Sequence, residues 1–111
     1  MLSKFIVLSD PVAGKEDEYN TWYEHQHLRD VLKVPGFVSA QRFRFASKIN
    51  EEPHWSYCVI YTIDSDRPEA VVEALTATVA RGGMYLSAAL DPHVYAALYR
   101  PAGEEQHAAR P

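Results

Sequence analysis

The chain has 111 residues, of which 47% are hydrophobic and 23% charged, with a formal net charge of −4. This composition is typical of one small globular domain, and since no run of Lys or Arg is present, binding to nucleic acid or to an anionic membrane is not expected. Cys58 is the single cysteine and no segment approaches the roughly 20 apolar residues of a membrane span, so we expect a cytoplasmic protein without a disulfide.

Hydrophobic periodicity and turn residues predict six regular elements. In chain order they are a strand over 4–9, a helix over 14–34, strands over 37–45 and 55–63, a helix from about 66 to 81, and a strand over 93–100. Pro35 and Gly36 end the first helix. The segment after Gly83 is either a short helix or an irregular lid. Residues 1–100 are therefore interpreted as one domain and residues 101–111 as a flexible tail.

The order β-α-β-β-α-β predicts an α+β, ferredoxin-like fold, with a four-stranded antiparallel sheet and both helices on one face. The strand over 55–63 is apolar on both of its sides, with Tyr57, Val59 and Tyr61 pointing one way and Cys58 and Ile60 the other. A monomer would expose one of these apolar sides to water, which soluble proteins avoid. We therefore expect a homodimer whose sheets pack together as a dimeric α+β barrel.

Two histidines lie two positions apart in the predicted first helix, in the stretch YNTWYEHQHLRDVLKVPGF (residues 19–37). At about 100° per residue, the sequence HQH places His25 and His27 on roughly opposite faces of that helix. A metal-binding pair on a helix needs i,i+4 spacing. We therefore expect no metal site here, and nothing in the sequence indicates a cofactor.

His27 shares the inward face of the helix with Asn20 and Tyr23. Two interpretations of this polar triad remain open. In the first, His27 is a core histidine that is satisfied by one hydrogen bond. In the second, the triad lines a cavity between helix and sheet, where a histidine suits proton transfer near neutral pH and all three residues are candidate catalytic residues.

The stretch NTWYEHQHLRDVLKVPGFVSAQRFR (residues 20–44) resembles a motif of small EthD-like proteins of the dimeric α+β barrel superfamily. The matching positions are Asn20, Trp22, Tyr23, His27, Leu28, Val31, Leu32, Val34, Pro35, Gly36, Phe37, Ala40, Arg42 and Phe43. The motif covers about a quarter of the chain. The resemblance implies a homodimer with a cleft between the helices and the sheet of each subunit. It also implies that His27 and Tyr23 act as an acid/base pair, as in cyclase-like relatives, with Asn20 beside them.

Further candidates for substrate binding are Trp22, Arg42, Tyr57, Tyr61, Tyr85 and His93. Trp22 shares the outer helix face with His25 and is assigned to the rim. Arg42 could bind a carboxylate, although an arginine on an alternating strand usually faces water. Tyr57 and Tyr61 line either a pocket or the core and dimer contacts, Tyr85 belongs to a lid, and His93 could face the cleft of His27.

Three hypotheses about function follow from these residues. The first is a cofactor-free enzyme that transfers protons on a small apolar aromatic or polyketide-like carbonyl compound, as a cyclase, an isomerase or a lyase. The second is a dimeric protein that binds such a compound without chemistry. The third is a haem-binding or cofactor-free monooxygenase, for which His27 would be the haem ligand to test.

Overall fold

Four strands and two helices follow one another in the predicted order in the computed structural model, which describes residues 2–109. The strands are β1 (Leu2–Ser9), β2 (Phe37–Arg44), β3 (Tyr57–Asp64) and β4 (Tyr95–Tyr99). The first helix has three parts, which are α1 (Glu16–Trp22), a π-helical turn (Tyr23–His27) and α2 (Leu28–Leu32). The second helix is α3 (Pro68–Ala80). The predicted element order is confirmed.

The strands form one antiparallel sheet in the order β2-β3-β1-β4. The central strands β1 and β3 pair along their whole length, from Leu2 opposite Asp64 to Ser9 opposite Tyr57. A bulge between Phe37 and Ser39 interrupts the register of β2. This is the predicted ferredoxin-like α+β fold.

Gly36 sets the distance between the first helix and α3. Its φ angle is +104°, a conformation that glycine adopts without the strain that a Cβ imposes. A Cβ built on Gly36 would lie 2.5 Å from Cγ2 of Val71 in α3. The turn that ends the first helix therefore packs directly against the second helix.

The two faces of the sheet differ in what covers them. On β3, Tyr57, Val59, Tyr61 and Ile63 are buried beneath the helices, whereas Cys58 and Ile60, on the opposite face, are only half-buried. No helix among residues 2–109 covers that second face. We call the two sides the covered face and the open face.

The segment between α3 and β4 is irregular and belongs to the cover of the core. It has neither a helix nor a ladder strand, although Leu90 forms an isolated bridge with Pro11. Its residues Met84, Ser87 and Ala89 are buried. Of the two alternatives for this segment, the irregular one is correct. Residues 101–109 are exposed and have no regular structure, and residues 110–111 of the predicted tail lie outside the described residues.

Candidate functional site

The π-helical turn coincides with the sequence YEHQH that contains both histidines. Its defining hydrogen bond joins the backbone N–H of Leu28 to the carbonyl of Tyr23, five residues earlier. A π-turn adds one residue to a helical turn, and such turns occur frequently at functional sites. Tyr23, at its start, is buried, and His25, in its middle, is exposed. The expected separation of the two histidines, with His25 outside, is confirmed.

His27 packs against two aromatic rings of its own helix. Its ring is stacked on Trp22, with centroids 4.4 Å apart, and lies edge-on to Tyr23 at 5.1 Å. Burial lowers the pKa of His27 to about 4, against a smaller opposing effect of the Asp30 carboxylate. The imidazole is therefore neutral at pH 7. Its Nδ1 atom is buried and has no hydrogen-bond partner in the described protein.

Trp22 does not lie at the rim, and the expectation from a regular α-helix is wrong here. Its side chain is 5% exposed, and its Nε1–H donates to the backbone carbonyl of Tyr85 at 3.3 Å. The irregular segment after α3 folds over this side of the helix and covers it. The helical wheel had no information about that distant segment.

Arg42 is buried beneath the first helix, which corrects the expectation of a solvated arginine. Its side chain is 9% exposed, its Nη2–H donates to Oδ1 of Asn20 at 2.7 Å, and its Nη1–H donates to Oε1 of Glu24 at 3.0 Å. Asn20 and Glu24 are spaced i,i+4, so both project from the helix above the same residue of β2. Asn20 and Glu24 thus accept the hydrogen bonds that a solvated arginine would donate to water.

Three tyrosine rings complete the surroundings of the guanidinium group. Cζ of Arg42 lies 5.5 Å from the ring centroid of Tyr19, 4.8 Å from that of Tyr23 and 5.3 Å from that of Tyr57. At such distances the π face of each ring attracts the cation. Nε of Arg42 is buried without a hydrogen-bond partner in the described protein.

The tyrosine hydroxyls form a second layer of polar contacts. The Tyr19 hydroxyl lies 2.6 Å from Oγ of Ser9, and the Tyr57 hydroxyl donates to Oε2 of Glu16 at 2.5 Å. Burial raises the pKa of Tyr19 to about 12 and also raises the pKa of Tyr23. Both phenols therefore remain protonated at neutral pH and can donate hydrogen bonds.

The structure sorts the three candidate catalytic residues into two groups. Tyr23 and His27 are in ring contact, whereas Asn20 belongs to the arginine cluster, where its Nδ2–H also donates to the Tyr57 hydroxyl at 3.4 Å. Tyr23 links the groups because its ring also lies against Arg42. Tyr23 is buried, whereas Asn20 and His27 are half-buried, and the triad is not a single hydrogen-bonded unit.

Of the remaining candidates, Tyr61 is buried in the sheet, with its ring against Phe5 and Phe37. Tyr85 is 56% exposed on the irregular segment. His93 is exposed and its ring packs against Trp55, outside the aromatic contacts of His27. The structure therefore does not place His93 beside His27, because His93 lies before β4 on the side of the long β2–β3 loop.

Two adjoining cavities lie at the end of the sheet beside the arginine cluster. The first has a volume of about 380 Å³ and is lined by Asn20, Glu24, Arg42, Phe43, Arg44 and Tyr57. The second has a volume of about 420 Å³ and shares three of these residues, and its wall is completed by apolar side chains such as Leu8, Phe45 and Trp55. The first cavity lies beside the first helix, whereas the second opens on the open face, to which Leu8, Phe43 and Cys58 point.

Sequence reasoning missed Ser9, Glu16, Tyr19 and Glu24 as members of this site. A signal for two of them was present, since Tyr19 and Glu24 stand four residues before Tyr23 and four residues after Asn20. Such spacing places each pair on one helix face. Ser9 and Glu16 reach the site only through tertiary contacts, and their sequence context carries no comparable signal.

Metal binding and membrane insertion were also considered. Within residues 2–109, no three His, Cys, Asp or Glu side chains gather closely enough to hold a metal ion. No helix in the same range is both long and apolar enough to cross a membrane.

Several solved structures share this fold. A candidate monooxygenase from Shewanella loihica is 18% identical over 93% of this chain and 96% of its own, with a TM-score of 0.62. A dimeric ferredoxin-like protein from Jannaschia is 15% identical over 91% and 100%, with a TM-score of 0.61. An EthD-family protein from Bacillus halodurans is 17% identical over 96% and 100%, with a TM-score of 0.52. No protein-family model and no curated protein sequence matches the chain.

These likenesses define the class of fold: the chain is a ferredoxin-like α+β protein. More particularly, it shares its fold with an EthD-family protein and with a dimeric ferredoxin-like protein, as the resemblance over residues 20–44 implies.

Proposed function

We propose that this protein is a cofactor-independent enzyme that transfers protons on a small, apolar carbonyl compound of aromatic or polyketide-like type. Its ligand would lie in the cleft between the first helix and the sheet. In cyclisation and isomerisation a proton leaves the carbon next to a carbonyl and an enolate forms. C–C bond cleavage of the retro-aldol type gives the same enolate, since the base takes a proton from a hydroxyl, the C–C bond breaks, and the enolate is then protonated on carbon.

The observation that carries this proposal is the state of His27. A neutral imidazole with a buried, unpartnered Nδ1 is an exception among buried polar atoms, which nearly always have a hydrogen-bond partner. In the proposed reaction a ligand supplies that partner. The negative charge of an enolate beside the ring would raise the pKa of His27 again, which favours proton transfer to it.

Tyr23 is the proposed partner of His27. Its raised pKa keeps the phenol protonated, so that its hydroxyl can donate a hydrogen bond to the carbonyl oxygen as negative charge develops there. Asn20 acts through Arg42, whose guanidinium it orients. The proton moves from the ligand carbon to Nδ1 of His27 and returns to carbon or oxygen of the product, so the step needs no oxidant.

A homodimer is part of the same proposal. Ile60 and Cys58 lie on the open face, where Phe43 is 44% exposed, and a second copy of the sheet would remove this apolar surface from water. The Jannaschia protein with the same fold is described as dimeric. Both facts support a two-fold dimer through the open face.

Proton exchange provides a test that does not require the natural substrate. The purified protein is incubated in D₂O with 2-tetralone, an aryl-fused ketone, and exchange at the carbon next to the carbonyl is followed by NMR. We expect exchange above the buffer rate, and a loss of roughly 10²-fold in a His27→Ala variant. The matched control is His25→Ala, since His25 lies in the same π-turn but is exposed.

Exchange that His27→Ala leaves intact would remove His27 from the acid/base role. Binding of the ketone without exchange in the wild-type protein would instead support a non-catalytic small-molecule-binding protein.

A further inference from the structure

Arg42 carries a buried positive charge for which the fold provides little compensation. Its side chain is 9% exposed, while that of Glu24, its ion-pair partner, is 53% exposed. Burying a guanidinium without a well-placed counter-charge costs several kcal/mol. Its other contacts are the neutral amide of Asn20 and the faces of tyrosine rings.

The contact with Glu24 uses only part of the guanidinium. Nη1 donates to one carboxylate oxygen at 3.0 Å, and Nε, which is buried, has no hydrogen-bond partner in the described protein. A planar guanidinium binds a carboxylate best through two parallel hydrogen bonds. Neither Glu24 nor Asn20 makes this two-bond arrangement with Arg42, so the charge of the guanidinium is incompletely compensated.

The cavity in front of Arg42 has room for an acidic group and for an aromatic body attached to it. Its volume is about 380 Å³, and both Arg42 and Arg44 line it. An acidic group on Arg42 would place the attached ring beside Phe43 and Tyr57, which line the same cavity. The second arginine adds positive charge to this cavity.

From this geometry we propose that Arg42 anchors a carboxylate or comparable acidic group of the ligand, and that this group displaces the Glu24 carboxylate from the guanidinium. The ligand thus carries an acidic group in addition to the carbonyl group on which the proposed proton transfer takes place. The ligand must therefore compete with Glu24. In the absence of ligand, the ion pair with Glu24 holds Arg42 in position. This inference rests on the proposed function only in placing the ligand at the same cleft.

The test compares 1-naphthoate with its neutral analogue 1-naphthamide by isothermal titration calorimetry. We expect the wild-type protein to bind naphthoate and to bind naphthamide at least tenfold more weakly. Glu24→Gln removes the competing carboxylate and should raise naphthoate affinity about fivefold, the upper range for an exposed ion pair. Naphthamide affinity should not change.

The matched control is Asp17→Asn, which removes the same charge from an exposed position of the same helix. An equal gain from Asp17→Asn would show a general effect of charge and would overturn the proposal. Arg42→Lys keeps the charge but loses the planar fork, and it should weaken naphthoate binding at least tenfold. If that variant does not fold, the Glu24→Gln result still decides, since Glu24 is exposed.

A second readout is the ¹⁵Nε–H resonance of Arg42, which should shift on addition of naphthoate and not of naphthamide. Failure of naphthoate to bind any of these proteins would also overturn the anchor. His27→Ala separates the two proposals, because it should lose proton exchange and keep naphthoate binding. If the wild-type protein shows no proton exchange but binds naphthoate as predicted, the proposed enzymatic function is wrong and the role of Arg42 in binding an acidic group is supported.

Discussion

The covered face of the sheet holds polar groups inside the apolar core, whereas the open face carries apolar side chains that no helix among residues 2–109 covers. Beneath the helices lie a guanidinium, an imidazole and several phenols, including Arg42, His27 and Tyr19. On the open face lie the apolar side chains Ile60 and Phe43. Polar groups usually favour solvent and apolar groups the interior.

Under our two proposals the faces take different partners. On the covered face, a ligand that makes hydrogen bonds would satisfy a buried polar atom such as Nδ1 of His27. On the open face, a second copy of the chain would supply a matching apolar surface.

The largest effect is expected for a charge placed at the centre of the open face. Ile60→Asp would put two unpaired carboxylates into the interface of a two-fold dimer, at a cost of several kcal/mol. We expect light scattering at micromolar concentration to give about twice 12.6 kDa for the wild type and 12.6 kDa for the variant. The dissociation constant should rise at least about 10³-fold, which corresponds to about 4 kcal/mol.

Thr76→Asp, on the exposed side of α3, is the control and should remain dimeric. A molar mass of 12.6 kDa for the wild-type protein would contradict the proposed dimer, because the open face would then be exposed to water in solution.

The covered face should make stability depend on pH through His27. Its pKa is about 4 in the folded protein and 6.5 in the absence of the fold. Between these pH values the unfolded chain therefore binds more protons than the folded protein. The contribution of neutral His27 to the free energy of unfolding is fully present above about pH 6.5 and is lost as the pH falls toward 4. The pKa difference corresponds to about 3 kcal/mol.

Urea unfolding at several pH values measures this contribution. A His27→Gln variant should lose that part of the pH dependence, whereas His25→Gln should keep it. Equal curves for wild type and His27→Gln would show that His27 is not held neutral by burial.

The sequence alone predicted the architecture because its signals are local. Alternation in residues 37–45, the apolar run in residues 55–63, helical spacing and the Pro35–Gly36 stop each depend on neighbouring residues. The inward orientation of Asn20, Tyr23 and His27 follows from the same periodicity. These predictions needed no knowledge of distant contacts.

The parts of the site that were missed depend on such contacts. From the sequence, Arg42 is predicted to be solvated, but in the structure it binds Asn20 and Glu24 of the first helix. Trp22 is predicted to be exposed, but the segment near Tyr85 covers it. The π-turn adds a residue that a regular 100° wheel does not include. Side-chain pairing across elements decided these positions, and periodicity does not encode that pairing.

Close packing of the helices over the covered face can be tested at Gly36. A Cβ there would meet Cγ2 of Val71 at 2.5 Å, whereas one at Gly14 would meet no atom within 4 Å. Both residues have positive φ angles, so alanine strains the backbone at either site. We expect Gly36→Ala to lower the free energy of unfolding by about 2 kcal/mol more than Gly14→Ala, from overpacking.

Adding Val71→Ala to Gly36→Ala should recover part of that loss, since it removes the two methyl groups in contact. If the double variant is less stable by the full sum of the single effects, steric overlap with Val71 is not the cause.

The smallest effect is expected for one hydroxyl group of the covered face. Tyr19→Phe removes the 2.6 Å contact with Oγ of Ser9, which then keeps only a 3.5 Å contact with the Tyr23 hydroxyl. A weakened buried hydrogen bond should cost about 1 kcal/mol in urea unfolding. Tyr85→Phe, whose ring is largely exposed, should change stability by less than about 0.5 kcal/mol. Equal effects of the two substitutions would show that the covered hydroxyls do not contribute to stability, and their burial would then have to be explained by ligand binding alone.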